Sequence, residues 1–251
     1  MKLFKTIRFL CLIFLLISPE ILSAQETSIM IRVKAKDAKF IGSSMGGSRI
    51  IVKEHVSGRI LAEGYTSGST GNTDRIMKDP ISRNIQLSDD QTAGFIAKLS
   101  IEKPVFVTVS AYAPIDNSVK SETQLWLIPG KDITGDGLIL EIPGFKIDVL
   151  SPQLHESIGA DNEIEIRANI IMMCGCPLTD GGVWNSNQYE VEALIYKDKK
   201  LENTIPMQIT DKASTFLGKG KLSPGNYEIA VYAYDPVTGN TGLGKTSFIV
   251  N

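Results

Sequence analysis

Apolar and polar residues alternate along this chain in short runs, and Gly, Pro, Asn and Asp separate one run from the next. Ile29-Met30-Ile31-Arg32-Val33-Lys34-Ala35 is the first clear run, and residues 49–52, 105–109, 125–128 and 138–142 continue the series. Near the end, Tyr227, Ile229, Val231 and Ala233 alternate with Glu228, Ala230, Tyr232 and Tyr234. A period of two turns one face of a strand into a core and the other to water. Almost nothing carries a helical period. The one candidate is Ser-Asp-Asp-Gln at 88–91, which suits the cap of a single turn over 88–93. Many short strands punctuated by turn residues predict an all-β protein of sandwiches or barrels rather than βαβ units. Within that series, 235–242 is expected to connect a hairpin, with Gly239-Asn240 at its tip and 244–250 as the return strand.

One stretch breaks the pattern. Lys2, Lys5 and Arg8 precede an apolar run at 9–17, Pro19 ends it, and Leu22-Ser23-Ala24 closes on small residues. This is the layout of a secretory signal peptide, with cleavage expected after Ala24. The run is shorter than the roughly 20 residues a membrane span requires, and no later segment is apolar enough to span. Cys11 would leave with the leader. Removing three basic residues and one acidic residue deepens the formal net charge of −2 by two units. A weakly acidic mature chain argues against a nucleic-acid binder, which shows a basic face. Residues 25–251 are too many for one small sandwich and suit two units of about 100 residues each. Pro143-Gly144 is the expected junction, giving an N-terminal sandwich over 25–144 and a C-terminal one over 145–251.

The C-terminal unit resembles a bacterial immunoglobulin-like domain. The carrying residues are Ile147-Asp148-Val149-Leu150-Ser151-Pro152 with Glu163-Ile164-Glu165-Ile166-Arg167-Ala168 at its start. At its end they are Pro224-Gly225-Asn226-Tyr227 through Asp235, then Gly239-Asn240-Thr241-Gly242 and Phe248-Ile249-Val250. The likeness covers about 146–251 and implies a fold, not an activity. A shorter likeness, over the strand–turn–strand of 48–66 with its turn at Ser57-Gly58, links the N-terminal unit to transthyretin-like or carboxypeptidase-regulatory-like modules.

Chemistry concentrates in Met172-Met173-Cys174-Gly175-Cys176-Pro177. Were 170–176 extended, Met172, Cys174 and Cys176 would share one face. Two strand residues separate the cysteine α-carbons by about 6.6 Å, near the upper edge for a disulfide, and Gly175 can bend the backbone to bring them closer. Three readings stand. Cys174 and Cys176 close a local disulfide that braces a loop, as an exported pair does, or stay inert thiols while Met172 and Met173 fill core gaps. Alternatively Met172, Met173, Cys174 and Cys176 offer soft ligands to Cu(I). In the third, the pair carries thiol–disulfide chemistry as a redox accessory, although no neighbouring cation depresses a thiol pKa and Asp180 would raise it.

The other candidates are plainer. Residues 66–75, rich in Ser, Thr and Gly, could cup an anion with backbone N–H groups but lack the Gly-Lys-Ser/Thr ending of a phosphate loop, and read as a solvated turn. Thr70-Gly71-Asn72-Thr73 recurs as Thr238-Gly239-Asn240-Thr241, two similar turns. Asp132 to Gly137 has the early positions of a calcium loop, yet Pro143 stands where the bidentate Glu is required. His55 and His155 are isolated, Trp184 is expected to pack, and no hydrolase elbow, zinc-protease or haem motif is present. The resulting expectation is an exported, non-catalytic binding or scaffold protein of a bacterial envelope, periplasmic or extracellular. Its partners would be other envelope proteins or a soft metal ion such as copper. The rivals are an adhesion or assembly module with a structural cysteine pair, and a redox accessory.

Overall fold

The computed structural model describes residues 24–114, 119–159 and 163–251. The expected leader falls outside them except for Ala24. Among the described residues no helix is long and apolar enough to cross a membrane. Among the described residues sixteen strands carry the fold. The first seven are β1 (Gln25–Ala35), β2 (Arg49–Glu54), β3 (Ile60–Tyr65), β4 (Phe95–Ile101), β5 (Val105–Ala113), β6 (Val119–Leu127) and β7 (Ile133–Ile142). They form two sheets, ordered β4-β1-β7 and β3-β2-β5-β6. β1 pairs antiparallel with β4 and parallel with β7. Alternation decides which side faces in: Ile29, Ile31 and Val33 of β1 meet Ile50, Val52, Val107 and Val109 of the other sheet in one core.

The remaining nine are β8 (Phe145–Ser151), β9 (Ser157–Ile158), β10 (Ile164–Met172), β11 (Glu190–Lys197), β12 (Lys200–Pro206), β13 (Gln208–Ile209), β14 (Thr215–Gly220), β15 (Gly225–Tyr234) and β16 (Thr241–Val250). Their sheets run β13-β14-β10-β8 and β12-β11-β15-β16-β9. This is the strand arrangement of an immunoglobulin-type sandwich, with β8, β10, β14 and β13 as the four-stranded sheet and β11, β15 and β16 at the centre of the other. A second mark of that fold sits at the start of β15. The Tyr227 hydroxyl donates back to the carbonyl of Ser223 at 2.9 Å, forming a tyrosine corner. Tyr227, Ile229, Val231 and Ala233 are buried, as their alternation predicts.

The chain is therefore all-β, with consecutive β-sandwiches. Among the described residues no strand on one side of Pro143-Gly144 pairs with a strand on the other. Three local expectations need correction. Residues 88–93 form a turn rather than a helix, held by Asp89, whose carboxylate accepts from the Thr92 hydroxyl and the Gln91 N–H. The one helical turn of five residues is Asp74–Lys78, where Asn72 accepts from the Arg75 N–H. Strands β5, β6 and β7 are also longer than their apolar runs, because ladder pairing continues through the small residues Ser110, Ala111 and Ala113 of β5 and the polar positions of β6.

Candidate functional site

β10 buries Ile164, Ile166, Ala168, Ile170 and Met172 on one side, and the alternation stops there. The extended reading of 170–176 is corrected at this point. The Gly175 N–H donates to the Met172 carbonyl at 2.8 Å, and the Met172 N–H donates to the Cys176 carbonyl at 3.0 Å. The chain reverses, and Pro177 returns opposite Ile171. Gly175 takes a φ of 82°, the left-handed conformation that glycine adopts without a steric penalty. The reversal draws the cysteine α-carbons to 5.5 Å and brings the Cys174 and Cys176 sulfurs to disulfide distance.

This turn is not at an open edge. Cys174 is 1% exposed, Cys176 5%, Met172 1% and Met173 2%, all within the hydrophobic core. What covers them comes partly from the first sandwich. A Cβ on Gly175 would lie 2.7 Å from the Met45 sulfur, so the Met45 thioether rests over the turn. A Cβ on Gly144 would lie 2.5 Å from the Thr241 carbonyl oxygen and 3.3 Å from the Met173 methyl. The two-residue link Pro143-Gly144 thus threads between β16 and the sulfur turn, and Gly144, with φ of 107°, has no room for a side chain.

Polar contacts close the same joint. Asn240 is fully buried; its Oδ1 accepts from the Gly144 N–H at 3.0 Å, and its Nδ2 donates to the Lys36 carbonyl at 3.1 Å. The Trp184 Nε1 donates to the Asp37 carbonyl at 2.9 Å. The Lys36 ammonium donates to the Thr238 carbonyl at 2.7 Å. Two carboxylates, Asp37 and Asp235, lie at this joint. Burial, then the charge of Asp235, pushes the Asp37 pKa up. Burial pushes Asp235 up as well, but hydrogen bonds from the Thr238 hydroxyl, the Val237 N–H and the Gln188 amide outweigh it and hold that carboxyl below its ordinary value. Tyr189 is shifted upward by burial and by the same two acids.

No family model matches the chain, and no curated protein sequence matches it. Solved structures do show likeness. The fibronectin(III)-like modules of Clostridium thermocellum CbhA align at 14% identity over 82% of this chain and 78% of that one, with a TM-score of 0.30. A titin I-band fragment aligns at 14% over 91% of this chain and 60% of its own length, with a TM-score of 0.25. Domains 4 and 5 of the S-layer protein SbsC align at 11% over 61% and 68%, with a TM-score of 0.25. These similarities carry no argument about activity or partner. The sandwich assignment rests on the strand order and the tyrosine corner.

The other sequence candidates lie elsewhere. His155 sits beyond Ser151 at the end of the second sandwich opposite the cysteines, its N–H on the Ser247 carbonyl. Arg167, a residue of the family likeness, is paired with Glu165 at 2.7 Å. Trp184 packs, as expected, and it packs into the joint. Asp132 accepts from the Ser28 N–H, and Asp136 accepts from the N–H groups of Leu87 and Ser88, each at 2.8 Å. Both carboxylates serve backbone donors, and no group of three or more His, Cys, Asp or Glu with metal-holding geometry occurs among the described residues. Loop 66–75 is tucked against 91–94 through Ser67 and Ser69, which occupies N–H groups an anion would need. Its turn at Asn72 caps a local helical turn, whereas the matching turn at Asn240 clamps the joint. Sequence reasoning missed Met45, Asn240 and Lys36. The recurrence of Thr-Gly-Asn-Thr marked the turn at 238–241, but only proximity in space reveals what Asn240 holds.

Proposed function

We propose that this chain is an exported, non-catalytic binding or scaffold protein of a bacterial envelope, acting in the periplasm or outside the cell. In this reading 25–144 and 145–251 are its two domains, the first of the transthyretin-like kind. The Cys174–Cys176 turn is the structural brace of the joint between them. The observation that carries the reading is the near-complete burial of both cysteines under Met45, at the point where Pro143-Gly144 links the sandwiches. A buried cysteine is chemically inert compared with an exposed thiolate. A soft metal needs deprotonated thiols, and a closed disulfide has none to give. An oxidising compartment keeps such a pair closed. A scaffold gains from a short, pinned link because it fixes the direction of one sandwich relative to the other.

The test is intact mass of the native protein with and without a thiol alkylator, followed by Cu(I) loading of wild type and the Cys174→Ser/Cys176→Ser variant. The brace predicts a chain two hydrogens lighter than its dithiol form, no alkylation before reduction and unfolding, and equal Cu(I) in both proteins. Alkylation of the native chain, or Cu(I) retained by wild type alone, contradicts it. Selective Cu(I) retention would establish the soft-metal reading, with Met172, Met173, Cys174 and Cys176 as ligands.

A further inference from the structure

The first sandwich carries a second feature, at its end remote from the joint. β2 leaves the joint beside Met45 and runs to Glu54, so the β2–β3 hairpin, the start of β5 and the end of β6 lie at the far end. There, three rings line up across three neighbouring chain segments on the outward face of the sheet. His55 follows β2, and its N–H donates to the Phe106 carbonyl at 2.9 Å. Phe106 is the registered partner of Trp126 on β6. Ring centroids are 5.1 Å apart for His55 with Phe106 and again 5.1 Å for Phe106 with Trp126. Trp126 is 60% exposed, and His55 is exposed as well. Large aromatic side chains ordinarily supply core energy, so an indole left in water on a flat sheet face stands out.

The surroundings narrow the occupant. One register step inward on the same face come Lys53, Thr108 and Gln124, side chains with hydrogen-bonding groups to offer a ligand. The Thr108 hydroxyl already contacts His55 Nδ1 at 2.8 Å. Further inward, the charges are spent on one another: Arg49 with Glu63 at 2.6 Å, and Glu122 with Lys120 and the Ser110 hydroxyl. The strip therefore offers apolar ring faces beside the Thr108 hydroxyl, the Gln124 amide and the single Lys53 ammonium, with no block of one sign. Its size also decides against a second protein. Three partly exposed rings present at most about 400 Å², about half of the roughly 800 Å² per partner in a stable protein interface. Ile60 and Val56 extend the strip along the hairpin and still leave it short of that.

We infer that this strip binds a neutral glycan chain. A pyranose ring has apolar C–H faces and a polar hydroxyl rim. It stacks on an aromatic ring by dispersion while its edge hydroxyls reach for side chains such as Gln124, Thr108 and Lys53. The spacing of about one strand between rings places successive sugars over successive side chains. The rings are tilted to each other by 74° and 41°, so the surface is stepped. That suits a single soluble chain and not the flat face of a packed polysaccharide. The inference shares the exported-binding reading but is independent of the joint: the cysteine experiment can fail with this one succeeding, and the reverse.

The test titrates the purified protein with cellohexaose, xylohexaose and chitohexaose by calorimetry and tryptophan emission. The chain has two tryptophans, and Trp184 is 7% exposed, so a change in emission reports Trp126. At least one probe is expected to bind with a Kd below about 1 mM. Trp126→Ala should weaken it at least tenfold without moving the thermal midpoint, and Trp126→Phe should restore part of the loss. Absence of binding to all three probes, unchanged binding in Trp126→Ala, or a dimer that disappears with Trp126 in sedimentation would each overturn the proposal.

Discussion

Asp37 shows how one residue can report on the joint. It holds a φ of 53°, a conformation that Asp and Asn tolerate, and its carboxyl sits near Asp235 across the junction. Burial, reinforced by the Asp235 charge, raises its pKa in the folded protein. A raised acid pKa means that the folded state binds the proton more tightly than the unfolded chain. The charged form therefore costs stability, and the cost appears as pH rises through the acid range above the unfolded value of about 3.9. Asp235 works in the opposite sense, since its lowered pKa stabilises the fold above the unfolded value and that contribution is lost as pH falls. Asp37→Asn removes the penalty and keeps the backbone preference. It should raise the thermal midpoint by about 1–3 °C at neutral pH and make no difference near pH 3, where the wild-type acid is protonated. Equal midpoints at neutral pH would show that the buried Asp37 charge carries no net cost.

Individual elements show what the sequence could and could not disclose. β1, β10 and β15 were legible because each buries one set of alternate positions, and period-two alternation encodes that directly, whereas β2 buries Ile50, Ile51 and Val52 in succession and reads as a short apolar run. β12 is mostly exposed and β6 alternates between partly buried and exposed positions, so their apolar signal is weak and pairing with a neighbour defines them. The aromatic strip escaped for a related reason: His55, Phe106 and Trp126 are distant in sequence, and only the β2–β5–β6 register brings them together. The cysteine turn was legible as chemistry but not as environment. Spacing limits where two sulfurs can go, yet Met45 lies 130 residues away in the chain and its arrival over Gly175 is a tertiary event. The tyrosine corner gives a check at this scale. Tyr227→Phe keeps the ring stacked near Phe248, at 5.6 Å, and removes only the bond to Ser223. It should cost about 1 kcal/mol in chemical denaturation and leave the slope with denaturant unchanged. A loss of zero would mean that the corner contributes no net stability.

At the scale of the whole molecule, two sandwiches meet through a link of two residues, and most of what holds them is local to that meeting point. Asn240 satisfies the link's own N–H and a carbonyl of the first sandwich from one buried amide. Trp184 reaches the neighbouring carbonyl of Asp37, and Met45 and Met173 pack around the cysteine turn and Gly144. Leaving any of these backbone groups unpaired in the core would cost about 1–3 kcal/mol each, so the contacts are lost or kept together. The hydrophobic core runs without a break from one sandwich into the other, which makes the joint part of the fold and not a flexible tether. In the proposed function the Cys174–Cys176 turn, closed as a disulfide, is the piece that shapes this joint. Amide hydrogen exchange, followed by peptide mass analysis on the oxidised and the fully reduced folded protein, tests it most directly. Reduction is predicted to speed exchange at 36–46, 142–146, 172–186 and 236–242 while exchange at the far ends of both sandwiches, 53–60 and 225–229 among them, is unchanged. Unchanged exchange in the joint segments of a verified dithiol protein would contradict it.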